Sequence, residues 1–213
     1  MPRLSILVIS FIVCFNSSCS LFGVRNLEEP QYEVLKKEKN IELRKYKPHI
    51  VAKTRIEGSY DDSQKKAFRR LAGYIFGGNQ SKGEIPMTAP VKAKKGVSIA
   101  MTAPVNQSLQ NQSYEMSFMM PSQYTLESLP TPKDPRIWFE QVPEKIAATI
   151  SFSWFGSEER YRSFESELIK WLEKDGRFEL AGSTNYAGYN PPWTIPFLRT
   201  NEVIIELKKK ETL

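Results

Sequence analysis

The 213-residue sequence predicts an α+β domain: a distorted antiparallel β-barrel flanked by two helices and built from two pseudo-repeated strand–helix halves. Three observations carry this. Segments of strict apolar/polar alternation recur along most of the chain, only two segments have helical periodicity, and each of those two follows directly on an alternating segment.

The first element is a leader. Arg3, an apolar run from Leu4 to Phe15 and small polar residues ending at Cys19 read as a signal peptide over residues 1–18. The run is shorter than the roughly 20 residues a membrane-crossing helix needs. Ser17-Ser18-Cys19 resembles the end of a bacterial lipobox, with Asn16 where leucine is usual, so Cys19 is the candidate lipidation site; plain cleavage with an unmodified Cys19 is the alternative. Lipidation would anchor the chain to a membrane of the bacterial envelope, facing the periplasm. Cys14 leaves with the leader, so no disulfide is expected. Residues 19–30 form a linker, 31–208 the domain and 209–213 a basic tail. The net charge of +6 is too small and too dispersed to indicate nucleic-acid binding.

In YEVLKKEKNIELRKY, Tyr32, Val34, Ile41 and Leu43 alternate around a charged turn, which reads as a hairpin. HIVAKTRIEG alternates again, with Ile50, Ala52, Thr54 and Ile56 on one face and His49, Val51, Lys53 and Arg55 on the other. From Asp61 the period becomes helical. Asp61 and Asp62 are the expected N-terminal cap, Phe68, Leu71, Ala72 and Ile75 the buried stripe, and Gly77-Gly78-Asn79 the stop. Lys65, Lys66, Arg69 and Arg70 occupy the other side, first of all a wet face.

The pattern recurs in KIAATISFSWFG, with Ile146, Ala148, Ile150, Phe152 and Trp154 on one face, followed by a helix. Ser157 caps it, Glu158 and Glu159 favour its positive end, Tyr161, Phe164, Leu168, Trp171 and Leu172 form its stripe, and Gly176 ends it. Further strands are expected at VSIAMTAPV, YEMSFMMP, IWFEQV, RFELAGSTNYAG and EVIIEL. The pentapeptide Met-Thr-Ala-Pro-Val occurs twice, at 87–91 and 101–105; Pro90 and Pro104 place both copies at strand ends, with Met87 and Met101 turned inward.

Chemistry-bearing patterns are scarce. His49 is the single histidine, no G-x-S-x-G, H-E-x-x-H or Walker sequence occurs, and no free-metal site is expected. The chain is therefore read as a binding protein, not an enzyme. The loop YAGYNPPWTIPF, stiffened by Pro191, Pro192 and Pro196, offers Tyr186, Tyr189, Trp193 and Phe197 either as core cover or as a wall for a planar apolar ligand. His49 is a surface residue, or an iron ligand if a haem lies across its face.

EEPQYEVL, ELRKYKP, YIFGGN, IPMTAPV with its second AMTAPV, MSFMMPSQYTLESLPTP, SEER, AGYNPPW and RTNEVIIEL follow one another from about Glu29 to Leu207, and in that order they resemble the SOUL haem-binding family. CSLFGVR followed by EEPQYEVL is similar to bacterial lipoprotein members. The resemblance implies a distorted barrel with two helices, and haem or another tetrapyrrole bound in an apolar groove beside the first helix. It implies Phe68, Leu71, Gly73 and Tyr74 near the ligand, Lys66, Arg69 or Arg70 at its propionates, and the loop with Tyr189 and Trp193 as a border. Where some members carry a proposed axial histidine, this chain has Lys45; His49 lies four residues further on and is the possible axial ligand, with a methionine, a tyrosine or pocket-driven binding without a family histidine as the alternatives. The implied role is a haem buffer, carrier or sensor; the alternative is an envelope module binding another small apolar molecule or a protein.

Overall fold

The computed structural model describes residues 27–80, 103–110, 113–191 and 193–210. The leader with Cys19, the first Met-Thr-Ala-Pro-Val copy and Met101 lie outside them. Strand β1 (Tyr32–Glu38) turns through Lys39 and Asn40 into β2 (Ile41–Tyr46), followed by β3 (His49–Glu57) and helix α1 (Tyr60–Ile75). Next come β4 (Asn79–Gln80), β5 (Val105–Gln110), β6 (Ser113–Met119), β7 (Thr131–Pro132), β8 (Ile137–Val142), β9 (Lys145–Phe152) and helix α2 (Glu158–Asp175). The chain then runs through β10 (Phe178–Leu180), β11 (Asn185–Gly188), a short 3-10 turn (Pro196–Leu198) and β12 (Asn201–Lys209).

The main sheet is antiparallel with strand order β1-β2-β9-β12-β11-β5-β6-β3-β8, and β10 adds to β12. Its order exposes the duplication. In one half β3, α1, β5 and β6 follow one another and pair as β3·β6·β5; in the other β9, α2, β11 and β12 pair as β9·β12·β11, and the halves join where β11 meets β5. β2 and β8 are exchanged, each pairing with the leading strand of the other half. The sheet is an open, barrel-like α+β arrangement rather than a closed cylinder.

Both helices lie on one sheet face. Leu71, Tyr74 and Ile75 of α1 pack with Ile50, Ala52 and Phe118, and Leu168 and Leu172 of α2 pack with Ala148, Ile150 and Val203. Alternation gives the other face Arg44, Tyr46, Lys53, Glu115, Thr149 and Glu202. Burial of Arg44, Ala147, Ala187 and Glu202, on a face that carries neither helix, shows that the sheet curls around them.

Several details differ from expectation. The cap of α1 is Ser59, whose hydroxyl accepts from the Asp62 N–H at 3.4 Å, so the two aspartates occupy the first turn. The buried stripe is Tyr60, Ser63, Ala67, Leu71, Tyr74 and Ile75, which leaves Phe68 40% exposed with its ring edge-on to Phe118. The stop at Gly77-Gly78 holds for a steric reason: a Cβ on Gly78 would lie 2.6 Å from the Gly73 carbonyl oxygen, to which Gly78 N–H donates. Trp154 does not continue the β9 face. It sits at φ 77 and is 53% exposed, held there by its N–H to Pro196 O and its carbonyl to Asn201 Nδ2. RFELAGSTNYAG is two strands, β10 and β11, because Gly182 (φ 142) breaks it.

Candidate functional site

The outer surface of α1 carries four of the predicted residues, Lys66, Phe68, Arg69 and Gly73. Phe68, Ala72 and Phe76 fall four apart along one line, and Lys65, Arg69 and Gly73 along the neighbouring line. Phe76, 66% exposed and just past the helix end, was not foreseen, although its spacing from Phe68 is helical. Their backbone positions are about 12 Å apart along the axis. On the neighbouring line Gly73 is exposed and nothing lies within 4 Å of where a Cβ would stand, so the surface there is open. Lys65, Lys66 and Arg69 are exposed along the flank.

Three of the predicted residues serve elsewhere. Leu71 and Tyr74 are 0% and 1% exposed and back the surface from within the core, and the Tyr74 hydroxyl donates to Pro130 O at 3.0 Å. Burial pushes that phenol well above its ordinary range. Arg70 turns to the sheet: Nη1 donates to Thr54 Oγ1 at 2.7 Å, and Nε lies 3.5 Å from Asp134.

Tyr189 belongs to the opposite sheet face. Its hydroxyl donates to Glu202 Oε2 at 2.5 Å, and Glu202 also accepts two bonds from Arg44, at 2.8 and 3.0 Å, and one from Ser151 at 3.0 Å. Both Glu202 oxygens are thus engaged. Burial would lower the Arg44 guanidinium, but the bonds to Glu202 outweigh it and the group is raised; burial, then the Glu202 charge, raises Tyr189. Tyr32 lies over Arg44, 4.3 Å from ring centroid to guanidinium carbon. The cluster is filled and structural. Trp193 is 63% exposed at the far end of the same loop, beside the turn that carries Phe197.

His49 does not face open solvent. It is half-buried in a cleft of about 390 Å³ bounded by the Glu28–Gln31 segment and the Pro121–Glu127 loop. The first of these is the end of the expected linker, and it is tied down: Ala103 N–H donates to Glu28 O, and Ser122 N–H to the Glu28 carboxylate, both at 3.0 Å. His49 Nδ1 lies 2.9 Å from Lys47 O, and burial holds the imidazole below its ordinary pKa against the pull of that carbonyl. Lys45 pairs with Glu144 at 2.9 Å. Among the described residues no group of three or more His, Cys, Asp or Glu is placed to hold a metal ion, and no helix is long and apolar enough to cross a membrane.

Residues 27–206 match the family model described as SOUL heme-binding protein. The chain belongs to this family. Curated relatives of this SOUL chain include heme-binding protein 1 of Xenopus tropicalis, 28% identical over 86% of this chain and 93% of the relative, and heme-binding protein 2 of Homo sapiens, 27% identical over 80% of each. Among solved structures, the EcmrR C-terminal domain superposes with a TM-score of 0.57 at 15% identity, covering 84% of this chain and 99% of that one. A protein described as a hydrolase from Listeria innocua gives 0.56 at 12% identity, covering 82% and 94%. At such identities the likeness establishes the fold and carries no chemistry to the SOUL chain.

Proposed function

We propose that this SOUL protein binds haem or a related tetrapyrrole without catalysing a reaction, acting as a buffer, carrier or sensor. The observation that carries it is the outer face of α1, where Phe68 and Phe76 are exposed on one line, Lys65, Arg69 and the open backbone at Gly73 share the neighbouring line, and Lys66 is exposed beside them. This donor set fits a flat apolar ring with anionic substituents: the phenylalanines cover the ring plane, and the cations meet the propionates. Bound haem would supply redox-active iron, whereas the α1 residues supply only contact and charge. The test is titration of the purified domain with hemin. A saturable Soret change at micromolar concentration, weakened about tenfold in Phe68→Ser/Phe76→Ser, is expected; no saturable change in the unmutated protein overturns the reading.

The setting proposed for it is the bacterial envelope, with the leader removed and Cys19 lipidated so that the domain faces the periplasm. The apolar run and the Ser-Ser-Cys sequence support this. Cys19→Ser is expected to move the protein from the membrane to the soluble fraction, and unchanged fractionation counts against the anchor.

A second reading rests on another surface. Trp154, Phe155, Trp193 and Phe197 are each more than half exposed on two loops joined by the Trp154 N–H to Pro196 O bond, a display suited to a protein partner. Co-purification of a partner that is lost in Trp154→Ser/Trp193→Ser, with hemin failing to compete, would favour it.

A further inference from the structure

Trp154 and Phe155 follow the end of β9, Trp193 and Phe197 lie on the loop from β11 to β12, and all four are between 53% and 63% exposed. We infer that these two loops form a membrane-contact surface, whose rings enter the headgroup boundary of a bilayer while Arg160 and Arg199 meet anionic phospholipid there. The contact is additional to haem binding and does not need an acyl chain on Cys19; from the envelope setting it takes only that a bilayer is within reach.

The loops hold their rings outward. Trp154 adopts φ 77, a conformation that a bulky residue seldom takes, and this turns it off the β9 face. Two bonds keep it so. Its N–H donates to Pro196 O at 2.9 Å, tying one loop to the other, and its carbonyl accepts from Asn201 Nδ2 at 2.8 Å. Behind it the chain is packed on Tyr161, since a Cβ on Gly156 would stand 2.6 Å from the Tyr161 hydroxyl oxygen. Contact this close leaves the first loop little slack.

The backbone of the second loop bonds to itself, as a segment entering an apolar layer must, because a bare N–H or C=O is costly where water is scarce. Thr194 N–H donates to Pro191 O at 3.1 Å, Leu198 N–H to Ile195 O at 2.9 Å and Arg199 N–H to Pro196 O at 3.2 Å. Pro191, Pro192 and Pro196 have no N–H to satisfy. The side chains suit the same boundary. Tryptophan is enriched at membrane–water interfaces, where its ring sits among headgroups. Arg199 Nε donates to Thr194 O at 2.9 Å and its guanidinium carbon lies 4.5 Å from the Phe155 ring centroid, while Arg160 donates to Ser153 O at 3.0 Å. Both cations are thus held beside the rings. On the two loops and at the start of α2, Arg160, Arg162 and Arg199 stand against Glu158, which is bound to Arg162 at 2.7 Å, and Glu159. One positive charge is in excess, the sign that suits an anionic bilayer.

Area favours a bilayer over the protein partner of the second reading. An aromatic side chain buries about 150–250 Å² when fully covered, so four rings a little over half exposed offer about 450 Å². That is roughly half of the ~800 Å² that each side of a standard protein interface covers. Lipid needs no larger footprint, since it closes round each ring separately. Such a contact is reversible and orients an anchored domain rather than holding it, so the release expected of Cys19→Ser on fractionation stands.

The experiment uses the mature chain with Cys19→Ser, so that no acyl chain can hold it, and vesicles of phosphatidylcholine with and without phosphatidylglycerol. Saturable co-sedimentation is expected, about fivefold tighter with phosphatidylglycerol, and brominated lipid should quench the tryptophan emission. Trp154→Ser/Trp193→Ser should weaken binding about tenfold or more and lose the quenching. Phe155→Ser/Phe197→Ser keeps both tryptophans and should weaken binding likewise, each variant being checked for an unchanged thermal midpoint. Absence of binding to both vesicles, or binding that both variants retain, overturns the inference. Capture of a protein through Trp154 and Trp193 by a chain that does not bind vesicles also overturns it, in favour of the second reading. No haem and no lipidated cysteine enters this assay, so its failure leaves the hemin titration and the fractionation to decide their own readings.

Discussion

The two halves of the sheet share one plan and use it differently. In the second half the apolar stripe of α2 is taken up: Tyr161, Leu168 and Leu172 are buried, Phe164 stacks on Phe152, and Trp171 Nε1 donates to Glu38. In the first half α1 buries its inner stripe and leaves Phe68 and Phe76 uncovered. The helix-free face shows the same contrast. Arg44 and Glu202 are each 5% exposed at their side chains and closed into one network, whereas the partners of Glu115 reach water, Lys53 at 18% and Arg55 at 51%. Duplication supplied two equal cores. The closed ion network is a feature of one half, and the uncovered helix face a feature of the other.

The largest test of that contrast is charge removal. Glu202→Ala strands the Arg44 cation in a closed site and is expected to cost about 3–5 kcal/mol, against about 1 kcal/mol for Glu115→Ala, whose cations can rehydrate. Urea denaturation midpoints would show this, and equal losses would break the distinction. Core truncation should sharpen the complementary point. Leu168→Ala and Leu71→Ala, both 0% exposed in the unmutated protein, should each cost about 3 kcal/mol, and a loss confined to one would show that the cores are not equivalent.

The caps offer a smaller comparison. Ser59 and Ser157 each accept an N–H from their helix, at 3.4 and 3.3 Å, so either alanine replacement should cost a similar amount, about 1 kcal/mol, read as similar drops in thermal midpoint. The smallest effect is pH dependence, to which the first half contributes through His49 and Asp134. Burial lowers the His49 pKa, so the unfolded chain binds more protons just below its ordinary value of 6.5, and stability falls as pH drops through that region. Asp134 is held at about 2, chiefly by the Arg136 hydrogen bonds, so its contribution is present above 3.8 and is lost as pH falls toward 2. His49→Gln should flatten the upper window and leave the lower one. A neutral-to-acid profile unchanged by His49→Gln would remove the histidine from the account.

Much of the architecture was legible from pattern. The strands β3, β8, β9 and β12, both helices, the Ser157 cap and the Gly176 stop follow from alternation, period and terminal residues, all of which act over a few positions. The halves were visible as two strand–helix units, because each unit carries its own periodicity. The exchange of β2 and β8 was not, since which strand pairs with which depends on contacts far apart in the chain. Phe68 shows the limit within one helix. The period fixes the apolar side to within one residue of rotation, and the packing of Ala67 and Leu71 against Phe118 decides that Phe68 stands at the rim.

By itself the sequence determined the fold class, which rests on local periodicity, and the family, which rests on ordered motifs whose resemblance pointed to the surface beside the first helix. Only the tertiary structure decided that Tyr189 closes a buried ion network, that Arg70 is bound to the sheet, and that His49 lies in a cleft with Nδ1 held by a carbonyl. Those outcomes depend on side chains meeting across elements such as β2 and β12, or on a strap crossing the end of the sheet, and no spacing along the chain encodes which groups meet there.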